Sequence, residues 1–126
     1  MKALYIPSSL LIVFLLLSLW VSAYVQNCTD TWIAATANLS IPTEKEQWYE
    51  VESKLLLLHK DWSQSQKFFH LILAHDDLDE TETYFSGALA ACREEDRVEL
   101  SIYLAQLISQ FIFLGDTQEI TLKNIL

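Results

Sequence analysis

The densest set of groups able to bind a cation or move a proton lies between residues 70 and 82. There His70 and His75 adjoin Asp76, Asp77, Asp79, Glu80 and Glu82. Imidazole nitrogens beside carboxylate oxygens form a ligand set for a divalent metal, with His75, Asp76 and Asp79 as the tightest grouping. The spacing argues against it. The two histidines stand five apart and so face different sides of a helix, whereas helical metal pairs stand three or four apart. The acids also lack the glycine and the ligand alternation of an EF-hand loop. In a first helical turn, by contrast, such acids suit the unpaired N–H groups and the positive end of the helix dipole. His75 itself falls where the apolar pattern changes phase, and is placed to hydrogen-bond across a bend.

No other part of the chain pairs a nucleophile with a base. Cys28 and Cys92 form no CxxC pair and have no ligand cluster around them, which removes zinc and thioredoxin-type readings. No serine or cysteine stands in a nucleophile motif, no glycine-rich phosphate loop exists, and two glycines leave little backbone for an oxyanion hole. No catalytic residue, cofactor or resident metal is assigned, and the chain reads as a non-enzyme. A disulfide between the two cysteines is chemically permitted outside the cytoplasm. With Cys28 beside a membrane and Cys92 at a helix end, a free, partly buried thiol is the expectation.

The elements that must position these groups are helical. A chain of 126 residues has room for one compact domain once its first stretch is set aside. Two glycines and two prolines are few, and Leu, Ile, Ala, Glu and Gln recur at helical intervals, so the class is all-α. A net charge of -9 with basic residues scattered singly disfavours nucleic acid as a partner. Lys45, Lys54, Lys60 and Lys67 are spread over several turns and read as a solvated face.

From Ala3 to Thr29 no side chain is charged. Within that stretch Leu10, Leu11, Ile12, Val13, Phe14, Leu15, Leu16, Leu17, Leu19, Trp20 and Val21 make an apolar run able to cross a bilayer, which takes about 20 residues of helix. Lys2 and the amino terminus carry the only nearby positive charge and acids follow from Asp30, so the N-terminus is expected in the cytoplasm and the remainder outside. Val21, Ser22 and Ala23 offer small residues to a signal peptidase. The run is longer than a usual signal core, however, and Trp20 and Tyr24 look like interfacial anchors. A retained single-pass anchor in the cell membrane is favoured, with a secreted, cleaved protein as the alternative. The acceptor patterns at Asn27 and Asn38 are read as incidental.

Residues 1–26 are thus the anchor and 27–42 a juxtamembrane helix and turn. Residues 43–126 are expected to form an antiparallel bundle of about three helices with a short tail. Trp32, Ile33, Ala35 and Leu39 can continue the anchor helix outward until Pro42, and Thr43 with Glu46 predicts a capping box for the next helix. Trp48, Val51, Leu55, Leu58, Trp62, Phe69 and Ile72 then mark a long amphipathic helix, widened by Leu56, Leu57, Phe68, Leu71 and Leu73. After a break near His75 and Asp76, Leu78, Phe85, Ala88 or Leu89, and Cys92 mark a second helix. Asp96 caps a third, carrying Leu100, Leu104, Leu107, Phe111 and Leu114 and stopping at Gly115. These stripes form the expected core. Trp48 and Trp62 pack there by default, while an exposed aromatic patch for a partner is the sharper alternative.

An apolar start followed by Trp48, Trp62, the stretch Leu71-Ile72-Leu73-Ala74-His75-Asp76-Asp77-Leu78-Asp79 and a terminal Leu122-Lys123-Asn124-Ile125-Leu126 resembles a known family. It is similar to the small membrane-anchored proteins of domain-of-unknown-function family 4363, found chiefly in Firmicutes. Family members usually read Glu-Ile-Asp where this chain has Asp77-Leu78-Asp79, and often carry a Trp near Phe68 and Phe69. The resemblance implies a bacterial cell envelope, a helical fold and no assigned activity. It further implies a gene neighbour encoding a multi-pass membrane protein. Two functions follow: an interaction module for an integral membrane partner, or an envelope metal or small-ligand sensor built on His75, Asp76 and Asp79. Oligomeric state is left open.

Overall fold

A computed structural model describes the backbone of residues 2–125 and, apart from Lys2, Ile72 and residues 118–125, their side chains. Five helices follow in order: α1 Lys2–Asn38, α2 Ser40–Glu44, α3 Trp48–Ile72, α4 His75–Arg93 and α5 Arg97–Ile125. No strand occurs among the described residues.

α1 is one 37-residue helix, about 55 Å long at the usual rise. Pro7 lies near its start, where a missing N–H costs little. Its two halves meet different surroundings. Leu10, Leu11, Ile12, Val13, Phe14, Leu15, Leu16, Leu17, Leu19 and Trp20 are exposed, and Val21 is half-buried. Farther along, Val25, Thr29, Trp32, Thr36 and Leu39 are buried at steps of three and four, and Thr43 of α2 prolongs the line. The threonines fit a core because each hydroxyl donates one turn back: Thr29 to the Val25 carbonyl at 3.0 Å, Thr36 to Trp32 at 2.7 Å and Thr43 to Leu39 at 2.7 Å.

Four long helices therefore build the core, one more than the pattern after residue 43 predicts. Residues 27–42 supply Trp32, Thr36 and Leu39 to it. α5 lies between α1 and α4, and α3 packs on α4. Paired residues ascend one helix as they descend its neighbour. Gln26 and Trp32 of α1 meet Gly115 and Phe111 of α5. Glu52 and His59 of α3 meet Arg93 and Glu82 of α4. Tyr24 and Trp32 close the ring against Phe68 and Asp61 of α3.

At the centre, the Trp32 ring lies 5.4 Å from Trp62 and 5.5 Å from both Phe69 and Phe111, in edge-on or tilted contacts. Such geometry suits the ring quadrupoles, and each buried aromatic excludes a large apolar area from water. Val51, Leu55, Leu58, Leu78, Phe85, Leu100, Leu104, Leu107 and Leu114 surround this layer and are buried too. Trp48 is only half-buried, at the start of α3. Ile72 falls outside the described side chains. Leu56, Leu57 and Leu71 are exposed rather than packed, because α3 has close neighbours on fewer sides than its wide apolar stripe predicts.

Two helix boundaries differ from expectation, the start of α3 and the end of α5. Thr43 and Glu46 form no capping box: Thr43 sits inside α2, and α3 begins after Gln47 without a side-chain cap. Instead Gln47 N–H donates to the Pro42 carbonyl at 2.9 Å and Glu46 N–H to Thr43 at 3.1 Å, with Glu46 at φ 56°. α4 ends in the same way, through Asp96 to Ala91 at 3.0 Å and Glu95 to Cys92 at 3.1 Å, with Glu95 at φ 56°. These paired bonds around a left-handed residue satisfy helix-end carbonyls, and a glutamate stands where glycine is commonest. Asp96 does cap α5, its Oδ1 accepting from Glu99 N–H at 3.0 Å.

Gly115 is not a stop, since α5 continues to Ile125. It is a point of close approach to α1. A Cβ there would lie 3.1 Å from Thr29 Oγ1 and 3.3 Å from Gln26 Nε2, and the Gly115 carbonyl accepts from Gln26 Nε2 at 3.1 Å.

Candidate functional site

The break between α3 and α4 leaves only Leu73 and Ala74 outside the two helices. His75 opens α4, and its Nε2 lies 3.3 Å from Asp79 Oδ2, with both side chains largely exposed. This pair stands on one helix and does not cross the bend. What crosses it is His70, whose ring stacks on His75 at 5.3 Å and 30°. A spacing of five separates two residues on a continuous helix, but the break re-aims α4 and brings these two rings together. Asp76 is exposed beside them. Among the described residues no group of three or more His, Cys, Asp or Glu side chains is arranged to hold a metal ion.

Asp76 and Asp77 occupy the first turn of α4, with Asp79 and Glu80 a little farther along. Burial raises the Asp77 carboxyl above its ordinary range, and the neighbouring Glu80 and Asp76 charges raise it further. The Asp77 backbone carbonyl accepts from Gln110 Nε2 at 3.0 Å, tying the start of α4 to α5.

Two carboxylate–aromatic links hold the middle of the bundle, and residue types in the sequence do not announce them. Glu82 receives the Trp62 indole N–H at 3.1 Å, and its oxygens lie 2.9 and 3.2 Å from His59 Nε2. His59 also meets Phe85 edge-on at 5.0 Å. Asp61 receives the Trp32 indole N–H at 2.8 Å, joining α1 to α3. Both carboxylates thus act as acceptors that let a buried indole keep a polar partner. Their chemistry here is positioning. The only sequence signal for Trp32 is its place in a seven-residue repeat with threonines on either side.

Cys28 and Cys92 are both free. Cys28 neighbours Tyr24 and Asp61, whereas the Cys92 thiol donates to the Trp48 carbonyl at 3.5 Å. Asp61 and Trp48 are separated by about 20 Å along α3, far beyond the span of a disulfide. Burial raises the Cys92 thiol above its ordinary value, Glu52 adds to this, and the result is a poor nucleophile.

The outward side of α5 is the other surface of note. One shallow groove is lined by Glu44, Arg97, Val98, Ser101, Ile102 and Ala105, and the next by Tyr84, Ile102, Ala105, Ser109 and Phe113 among others. They share Ile102 and Ala105 and form one trough. Val98, Ile102, Ile112 and Phe113 are exposed, and α5 carries no charged residue from Leu100 to Gly115. A partly apolar trough along a helix, with Glu44 and Arg97 at one end, is suited to a second helix.

No curated protein and no solved structure matches the chain. A family model does match, over residues 19–125. The match begins beside Ser18, the first buried residue of α1, and takes in the whole outer half of that helix. The chain therefore belongs to the family described as Domain of unknown function (DUF4363).

Proposed function

We propose that this is a single-pass protein of a bacterial cell envelope. The inner half of α1 spans the membrane, and the bundle stands on the extracytoplasmic side as a non-enzymatic interaction module for an integral membrane partner. The carrying observation is the bareness of the α1 stem. Its most apolar window is 6% buried, against 39% for the corresponding window of α5. Exposed apolar surface costs about 25 cal/mol per Å² in water, and a hydrocarbon layer removes that cost. Retention of the stem is favoured over cleavage after Ala23, because Ser18 is buried and Val21 packs against the core. Cleavage would strip residues on which the bundle rests.

The partner reading is supported by the trough on α5 and by the multi-pass neighbour that the family resemblance implies. Protease added to intact protoplasts should remove a C-terminal tag from the full chain, whereas a tag spared until lysis overturns the topology. Crosslinking in native membranes should enrich one integral membrane protein, and Ile102→Asp should abolish that enrichment. Recovery at background level overturns the module reading.

A further inference from the structure

Resting on the anchored reading, we propose that the α3–α4 turn is a second membrane contact, with Leu71 inserted into the outer interfacial layer of the bilayer beside Trp20. Leu71 is 82% exposed, more than any aliphatic residue of the stem. Its height follows from the register of α1 and α3. Trp32 meets Asp61 and, eight residues down α1, Tyr24 meets Phe68 at 5.0 Å. The two helices thus run side by side with matched rise. Leu71 is three residues beyond Phe68, about 4.5 Å nearer the stem, which sets it level with Val21.

That level is the edge of the hydrocarbon. A helix from Ala3 to Ser22 measures about 30 Å, the thickness of a bilayer core. Trp20 stacks on Tyr24 at 5.8 Å at the same height, where aromatic side chains favour the interface. Packing against the core begins at this same level, with Val21 and Tyr24. Ser18 is buried although Leu16, Leu17, Leu19 and Trp20 are exposed.

The occupant is lipid, because the bilayer holding the stem lies directly under this end of the bundle. The contact is apolar. The acids at the start of α4 sit slightly higher and would be repelled by anionic headgroups, so insertion of Leu71 should persist at high salt.

The test uses the full chain in phosphatidylethanolamine–phosphatidylglycerol nanodiscs, with photoreactive 4-benzoylphenylalanine replacing Leu71, Phe14 or Glu94 in separate samples. All three positions are exposed, so each replacement leaves the packing intact. After irradiation, mass spectrometry should find phospholipid adducts at 71 and at 14, in low and high salt alike, and none at 94. Adducts at 14 with none at 71, or crosslinks from 71 to a second copy alone, overturn the inference while the anchor stands. Absence of adducts at 14 overturns both.

Discussion

α1 and α5 are each long and apolar enough to cross a bilayer, yet they do different work. The inner half of α1 exposes its apolar side chains all round as far as Leu17, whereas α5 lies between α1 and α4 with Leu100, Leu104, Leu107, Phe111 and Leu114 buried. The contrast recurs within α1 itself, where a bare stem passes into a core helix without a break at about Ser18. Hydropathy alone does not separate a membrane span from a core helix. A buried helix shows a stripe repeating by threes and fours, and a span does not need one.

The two halves of α1 differ most in what they contribute to stability at Trp32, buried at the centre of the bundle. Trp32→Ala should destabilise the bundle of the full chain by about 3–5 kcal/mol, read by chemical denaturation in mild detergent. Ile12→Ala in the stem should change the same measurement by no more than about 0.5 kcal/mol. Equal effects would mean that the two halves of α1 do not differ as described.

A smaller effect tests the packing of α5 on α4. A Cβ at Gly87 would overlap the Tyr103 ring, so Gly87→Ala should cost about 1–3 kcal/mol through overpacking. In a Tyr103→Ala background the sign should reverse. There the better helix propensity of alanine gives a gain of about 1 kcal/mol, and a persistent loss would show that the ring is not the obstacle.

Glu95 sharpens the picture at the distal end of the same helix pair. Glu95→Gly relieves a left-handed backbone and should stabilise by about 1 kcal/mol. An unchanged denaturation midpoint would contradict the turn geometry.

The smallest expected change is at Asp77, and it depends on pH. Its raised carboxyl means that the folded state holds this proton at pH values where the unfolded chain has lost it. The contribution of Asp77 is therefore most favourable below the ordinary carboxylate value and declines as pH rises through the folded value. Asp77→Asn should stabilise the bundle near neutrality, and the difference from the native chain should shrink on acidification. If the helix dipole outweighs burial and the neighbouring acids, the substitution will instead destabilise at neutral pH.

Much of the fold is legible from residue patterns. The break near His75 shows as a change of phase, Asp96 as a cap, and the α3, α4 and α5 stripes as apolar repeats. The outer half of α1 is less visible, because two of its core positions, and Thr43 of α2 beyond them, are threonines whose polarity is cancelled by bonds to a carbonyl one turn back. Gly115 shows the opposite problem. Glycine marks helix ends, but here it allows two helices to approach, which depends on a neighbour 89 residues away in sequence. At the candidate site, the cluster around His75 is conspicuous in sequence yet assembles no ligand shell among the described residues. The links from Glu82 to His59 and Trp62 are inconspicuous and join two helices.

By itself, the sequence determined the all-helical class, the uncharged apolar opening and the placement of most helix breaks. These depend on local spacing and on the hydrogen-bonding needs of a single segment. Tertiary packing alone makes the outer half of α1 a core helix, gives it α5 as its principal neighbour, and sets Tyr24 against Phe68 of α3. Each of these depends on register between distant helices, which is fixed by side-chain packing and long-range hydrogen bonds rather than by any one helix's own periodicity.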